Sequence, residues 1–163
     1  MSSYTFFRGL VAQERGLFTR VVGAVIEDGL EYRPDPKSRC SRDLIEHLLG
    51  HNLDLVELFE EGAIHHRNQV PFDSLDGVVQ QYDDSFAQAL SALDAMDEAL
   101  WLAPATFYVG DQVVAEGNRE SLAWMMLLDA IHHRGQLSTY LRPMGSKVPS
   151  IYGPSADEPA PAH

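Results

Sequence analysis

Apolar residues recur along this chain at helical spacing in four long stretches, each too long for a strand and mostly free of internal proline. The first, residues 5–29, carries Phe6, Phe7, Leu10, Val11, Leu17, Phe18, Val21, Val22 and Val25 on one stripe, with Gly29 as the expected stop. A polar connector with Pro34 and Pro36 follows, and Ser41 is the expected N-cap of a second helix over 41–62 with Leu44, Leu48, Leu55 and Leu58 inward. A third helix is predicted over 74–96, capped by Ser74 and carrying Val78, Tyr82, Phe86, Ala89 and Leu93, before a surface turn at Asp97 and Glu98. The fourth runs over 118–142 and stops at Pro143.

Between the third and fourth helices the pattern changes. Thr106 to Val109, then Gly110-Asp111, then Val113 and Val114 fit a short hairpin inside a long crossover that lies along the helices. The expected fold class is therefore all-α: a four-helix bundle with a long crossover between the third and fourth helices. Residues 144–163 are rich in proline, glycine and small side chains, and no solenoid-like repeat is present. The expected division is a helical domain over 1–155 and a flexible tail over 156–163, the last six or so residues disordered.

At 163 residues, 45% hydrophobic and 22% charged, the chain has the size and make-up of one ordinary globular domain. No run approaches the roughly 18 apolar residues of a membrane span, and the first fifteen residues lack signal-peptide blocks, so the expectation is a cytoplasmic protein with no membrane partner. Cys40 is the only cysteine, which excludes an intrachain disulfide and leaves a structural or surface thiol. The net charge of −12 argues against nucleic acid, because Arg134, Arg142, Lys147 and the other basic residues form no stripe.

Candidate chemistry lies on the fourth and second helices. Residues four apart in a helix are only about 40° apart around its axis, so Asp129 and His133 share one face. Gln136 and Tyr140 fall on that face, which continues into Leu122, Met125 and Met126. A carboxylate on such a stripe costs several kcal/mol unless it is paired or bound to a cation. On the second helix His47 and His51 repeat the spacing, with Leu44, Asp54 and Leu58 on nearly the same side. Two imidazoles and one carboxylate around a divalent ion would leave coordination positions for water or substrate, and zinc, nickel, iron(II) and manganese all suit such donors. A bland account stands beside this one: a helix-stripe histidine is more often a hydrogen-bonded boundary residue, and Asp-x-x-x-His is often a surface ion pair. His132, His65 and His66 are expected to face solvent. Ser138, Ser155 and His133 do not make a hydrolase triad, for no nucleophile elbow accompanies them.

The segment Asp129-Ala130-Ile131-His132-His133-Arg134-Gly135-Gln136-Leu137, the Tyr140-Leu141-Arg142 helix end, the Pro149-Ser150-Ile151-Tyr152-Gly153 tail and Asp43-Leu44-Ile45-Glu46-His47 resemble the DinB/YfiT-like family over nearly the whole chain. The resemblance implies a four-helix bundle, commonly a homodimer, holding nickel or zinc with one ligand from the second helix and two from the last. His47 takes the first place, Asp129 the second and His133 the third, with His51 in reserve. Many members have histidine where this chain has Asp129, and a carboxylate shifts preference toward iron or manganese. Members of known activity are often thiol-dependent S-transferases or isomerases using bacillithiol, mycothiol or glutathione. The implied function is a metal-dependent S-transferase or hydrolase acting on a small molecule through an activated water or thiol, with Tyr140 and Gln136 as catalytic or orienting residues. The alternative is a non-catalytic, stress-induced helical dimer that merely holds the metal.

Overall fold

The computed structural model describes residues 1–160. Four long helices form, with ends set by local capping. Helix α1 spans Ser3–Val22 and opens with the Ser2 hydroxyl accepting from Thr5 N–H. Its buried stripe is Phe7, Val11, Phe18, Val21 and Val22, with Glu14 among them. The helix stops well before the expected Gly29. Gly23 is its C-cap, the next bonds tighten to Ala24 N–H···O Val21 and Val25 N–H···O Val22, and the chain reaches a 3₁₀ turn at Glu27–Gly29. The Ser146 hydroxyl takes the Ala24 carbonyl at 2.5 Å. Val25 and Leu30 are still buried, so their apolar spacing belongs to a packed turn that continues the helix's burial without its geometry.

Helix α2 covers Ser41–Glu61, and its cap is Cys40, not Ser41. Asp43 N–H points at the Cys40 sulfur while the Asp43 carboxylate accepts from Cys40 N–H at 3.1 Å, a reciprocal capping box. The thiol is thereby buried and structural. Gly62 ends α2 at φ 75°, a left-handed turn that suits glycine and redirects the chain into strand β1, Ala63–His65. Helix α3, Leu75–Asp94, is capped by Ser74 as expected. The predicted surface turn is a single helical turn, α4 (Glu98–Trp101), whose Asp97 cap accepts from Leu100 N–H at 2.8 Å. It seats Trp101 in the core, 5.0 Å from the Phe7 ring.

The crossover does contain the hairpin: β2 (Pro104–Val109) pairs antiparallel with β3 (Gln112–Asn118) around Gly110, at φ 57°. The all-α expectation is corrected here, because β1 adds to β2 in parallel and makes a three-stranded sheet in the order β1-β2-β3. Three residues are too few to show a period, so β1 carries no signal in the sequence. Helix α5, Arg119–Tyr140, follows with Asn118 as its cap.

Helix α2 packs against α3 and α5, and α1 packs against the same two, while the sheet rests on α2 and α5. Phe7, Phe18, Leu44, Leu48, Tyr82, Leu93, Leu127 and Leu137 fill the space between them. The Arg119 guanidinium is buried, and its Nε donates to the Leu58 carbonyl at 3.0 Å, near the end of α2. The Tyr140 hydroxyl reaches the Arg39 carbonyl at 3.3 Å, just before α2 begins. The two helices therefore run antiparallel with both ends tied.

Beyond α5 the chain returns across α1. Buried Arg134 pairs with buried Glu14, lies 4.4 Å over the Phe18 ring, and donates from Nη2 to the Tyr152 hydroxyl oxygen at 2.6 Å. Within the expected tail, Asp157 accepts from Val148 N–H and Arg142 Nε, each at 2.9 Å, and Glu158 accepts from Ser150 N–H at 2.8 Å. The rest of that expectation, residues 161–163, lies outside the described residues. No helix among the described residues is long and apolar enough to cross a membrane.

Candidate metal centre

Moving one turn back along α2, from His51 to His47, matches moving one turn forward along the antiparallel α5, from Asp129 to His133. The two i,i+4 pairs therefore meet at one level. His47 and His51 are buried, His133 is nearly so, and the Asp129 side chain is 47% exposed at the mouth. One ligand atom from each of the four lies within 4.8 Å of the others.

The separations suit a shared cation. Asp129 Oδ2 is 3.1 Å from His51 Nε2, 3.3 Å from His133 Nε2 and 3.9 Å from His47 Nε2. His47 Nε2 and His51 Nε2 are 3.2 Å apart. Donors held tetrahedrally at ~2.0–2.1 Å from one ion stand about 3.3–3.4 Å from each other, so little movement is needed.

Protonation supports the same conclusion. His47 Nδ1 donates to the Asn68 carbonyl at 2.8 Å, and His133 Nδ1 donates to Gln136 Oε1 at 2.8 Å. Each bond fixes the tautomer and leaves Nε2 as a bare lone pair facing the cluster. Burial drives the His47 pKa down to about 3, helped by His51, and burial also lowers that of His133. The hydrogen bond from His51 is the main cause that holds Asp129 at about 2, so it is ionised near neutrality. Two bare nitrogens and a carboxylate thus converge with only the His51 Nε2 proton to share, and His51 Nδ1 is buried with no partner among the described residues. A divalent cation resolves that excess of acceptors, and the residues present fit one.

All three sequence-predicted ligands, His47, Asp129 and His133, come together, and the reserve residue His51 joins them as a fourth. Gln136 touches the site only through His133. Tyr140 is buried against Tyr32, with ring centroids 5.6 Å apart, and its hydroxyl serves the Arg39 backbone. Of the histidines expected in solvent, His65 and His132 are exposed, but His66 is turned inward. Its Nδ1 donates at 2.8 Å to Asp54, a fully buried carboxylate that also accepts from Arg67 N–H and Nη1. His66 follows the Gly62 turn in an irregular segment, where spacing carries no signal. Asp54, on the same side of α2 as His51, was the visible half of that pair.

A cleft of about 690 Å³ opens onto the cluster, with Arg39, His66 and His132 around it and Phe107, Met125 and Leu128 as apolar walls. A model of the DinB family matches residues 1–162. The chain belongs to the DinB family. Among solved structures, this DinB chain is similar to a DinB-like protein, YjoA, from Bacillus subtilis: TM-score 0.70 at 17% identity, over 89% of this chain and 96% of that one. At that identity the likeness speaks for the fold. No curated protein matches this family member.

Proposed function

We propose that the chain is a metal-dependent enzyme, an S-transferase or hydrolase that turns a small thiol or a water into a nucleophile inside the cleft. The observation that carries this reading is the convergence of bare His47 and His133 nitrogens on the ionised Asp129, with His51 beside them. A divalent ion held there would supply Lewis acidity, lowering the pKa of a water or thiol at the open position.

The chain's own groups do the rest. Asn68 and Gln136 aim the two imidazoles. Asp54 keeps the proton of His66 on Nδ1, which leaves His66 Nε2 as the acceptor for a proton released in the cleft. Phe107, Met125 and Leu128 present apolar surface to a substrate. A second reading, a non-catalytic helical protein, draws support from the His51–Asp129 contact, which satisfies the carboxylate without an ion.

Elemental analysis of purified protein, paired with melting curves, separates the two. The enzyme reading expects about one nickel, zinc, iron or manganese ion per chain, its loss in His133→Ala, and a rise in Tm on adding metal to the stripped wild type. Loaded protein should then consume a small electrophile only when thiol is present, or hydrolyse it without thiol. Metal-free protein whose Tm ignores every divalent ion tried would leave the structural reading.

A further inference from the structure

Arg39 shares the cleft with His47, His51 and Asp129, from the position immediately before the Cys40 cap. Two contacts hold it in place. Its Nη2 donates to Asn68 Oδ1 at 2.8 Å, and its carbonyl accepts from the Tyr140 hydroxyl at 3.3 Å. Asn68 also presents its carbonyl to His47 Nδ1, so the guanidinium and one imidazole of the cluster hang from a single residue.

What Arg39 lacks among the described residues is an acid in contact with it. Acidic residues outnumber lysine and arginine by 24 to 12, and Arg15, Arg67, Arg134 and Arg142 each face a carboxylate. Among the described residues, Arg39 has only the Asn68 amide oxygen. Neighbouring Asp43 directs its carboxylate to Cys40 N–H and Gln69 Nε2. Among the described residues Nε and Nη1 of Arg39 have no partner and Nη2 keeps its second proton, so one two-donor edge, Nη2 with either Nε or Nη1, stays free to match a planar carboxylate. Its charge also reaches the cluster, adding to the burial that depresses His47 and His133. Met125 and Leu128, 38% and 59% exposed, supply an apolar ledge in the same cleft.

We propose that Arg39 anchors a substrate carboxylate, so that the site takes a small molecule with that group at one end, an apolar body against Phe107, Met125 and Leu128, and its reacting group at the histidine–aspartate cluster. The placement of the reacting group rests on the metal-dependent reading above; the carboxylate anchor does not. Arg39 is thus a specificity residue outside the ligand set.

The test is calorimetric titration of full-length protein, zinc-loaded and zinc-free, with phenylacetate and its neutral isostere phenylacetamide, zinc content being measured for every sample. Wild type is expected to favour the acid by roughly tenfold or more, the scale of one charge-assisted hydrogen bond, and Arg39→Gln to lose that preference while keeping its zinc. Asn68→Ala, which frees the guanidinium without removing its charge, should show a reduced preference. Equal binding of acid and amide by wild type overturns the proposal. So does an undiminished preference in Arg39→Gln, which would place the carboxylate on the metal. Wild type without zinc would sink the metal-dependent reading alone, since the acid-to-amide comparison in zinc-free protein still decides the anchor.

Discussion

His51 Nε2 stands 3.1 Å from Asp129 Oδ2 across the seam between α2 and α5, closer than either of the other two imidazoles comes to that oxygen. Yet His51 is the one imidazole of the cluster whose second nitrogen has no partner among the described residues. A ligating histidine gains basicity and orientation from such a partner, so nearness and ligand strength are at odds here.

The ligand series follows from that contrast. His47→Ala and His133→Ala should each abolish stoichiometric metal binding, whereas His51→Ala should retain the metal with weakened affinity. Competition with a chromophoric chelator measures the difference. Equal losses in all three variants would mean that His51 is a full ligand.

Gln136 offers a subtler test. Replacing it with methionine leaves every ligand in place but removes the acceptor that holds the His133 tautomer. Metal affinity should fall by roughly 10–100-fold, the usual effect of losing an outer-shell partner. An unchanged dissociation constant would show that packing alone orients His133.

Stability of the metal-free protein should fall with acid. His47 has a folded pKa of about 3 against an ordinary 6.5, and His133 is shifted the same way, so the unfolded chain binds more protons below about pH 6.5. Asp129, lowered to about 2, adds a further loss as pH falls through the ordinary carboxylate range near 3.8. Between pH 7.5 and pH 5 the His47 contribution is on the order of 2 kcal/mol. Urea denaturation at both pH values checks this, and His47→Gln should flatten the dependence.

Glu14 and Arg134 bury a charge pair between α1 and α5, outside the ligand set. Arg134→Met strands the carboxylate and should cost ~3–5 kcal/mol, while adding Glu14→Leu should recover most of the loss. Urea midpoints of the single and double variants report it. A double variant no more stable than the single would assign the loss to the Arg134 contact with Phe18.

Helical periodicity made α1, α2, α3 and α5 legible, because a long amphipathic stripe constrains many residues at once. It failed where burial continued without helix, as at Val25 and Leu30, and where three residues of β1 borrowed an edge from β2. The lone Glu14 in an otherwise apolar stripe was visible as a residue, but its partner Arg134 lies on a helix remote in sequence.

For the site, the chain alone determined which residues share a helix face: His47 with His51, and Asp129 with His133, since 3.6 residues per turn is a local property. Tertiary structure decided that these faces meet. The antiparallel setting of α2 and α5, tied by Arg119 to Leu58 and by Tyr140 to Arg39, places the two pairs level and turns His51 inward. It also carried His66 and Arg39 to the cleft from segments with no periodicity. Spacing governs direction around one axis, whereas distance between axes is set by what packs and caps at their ends.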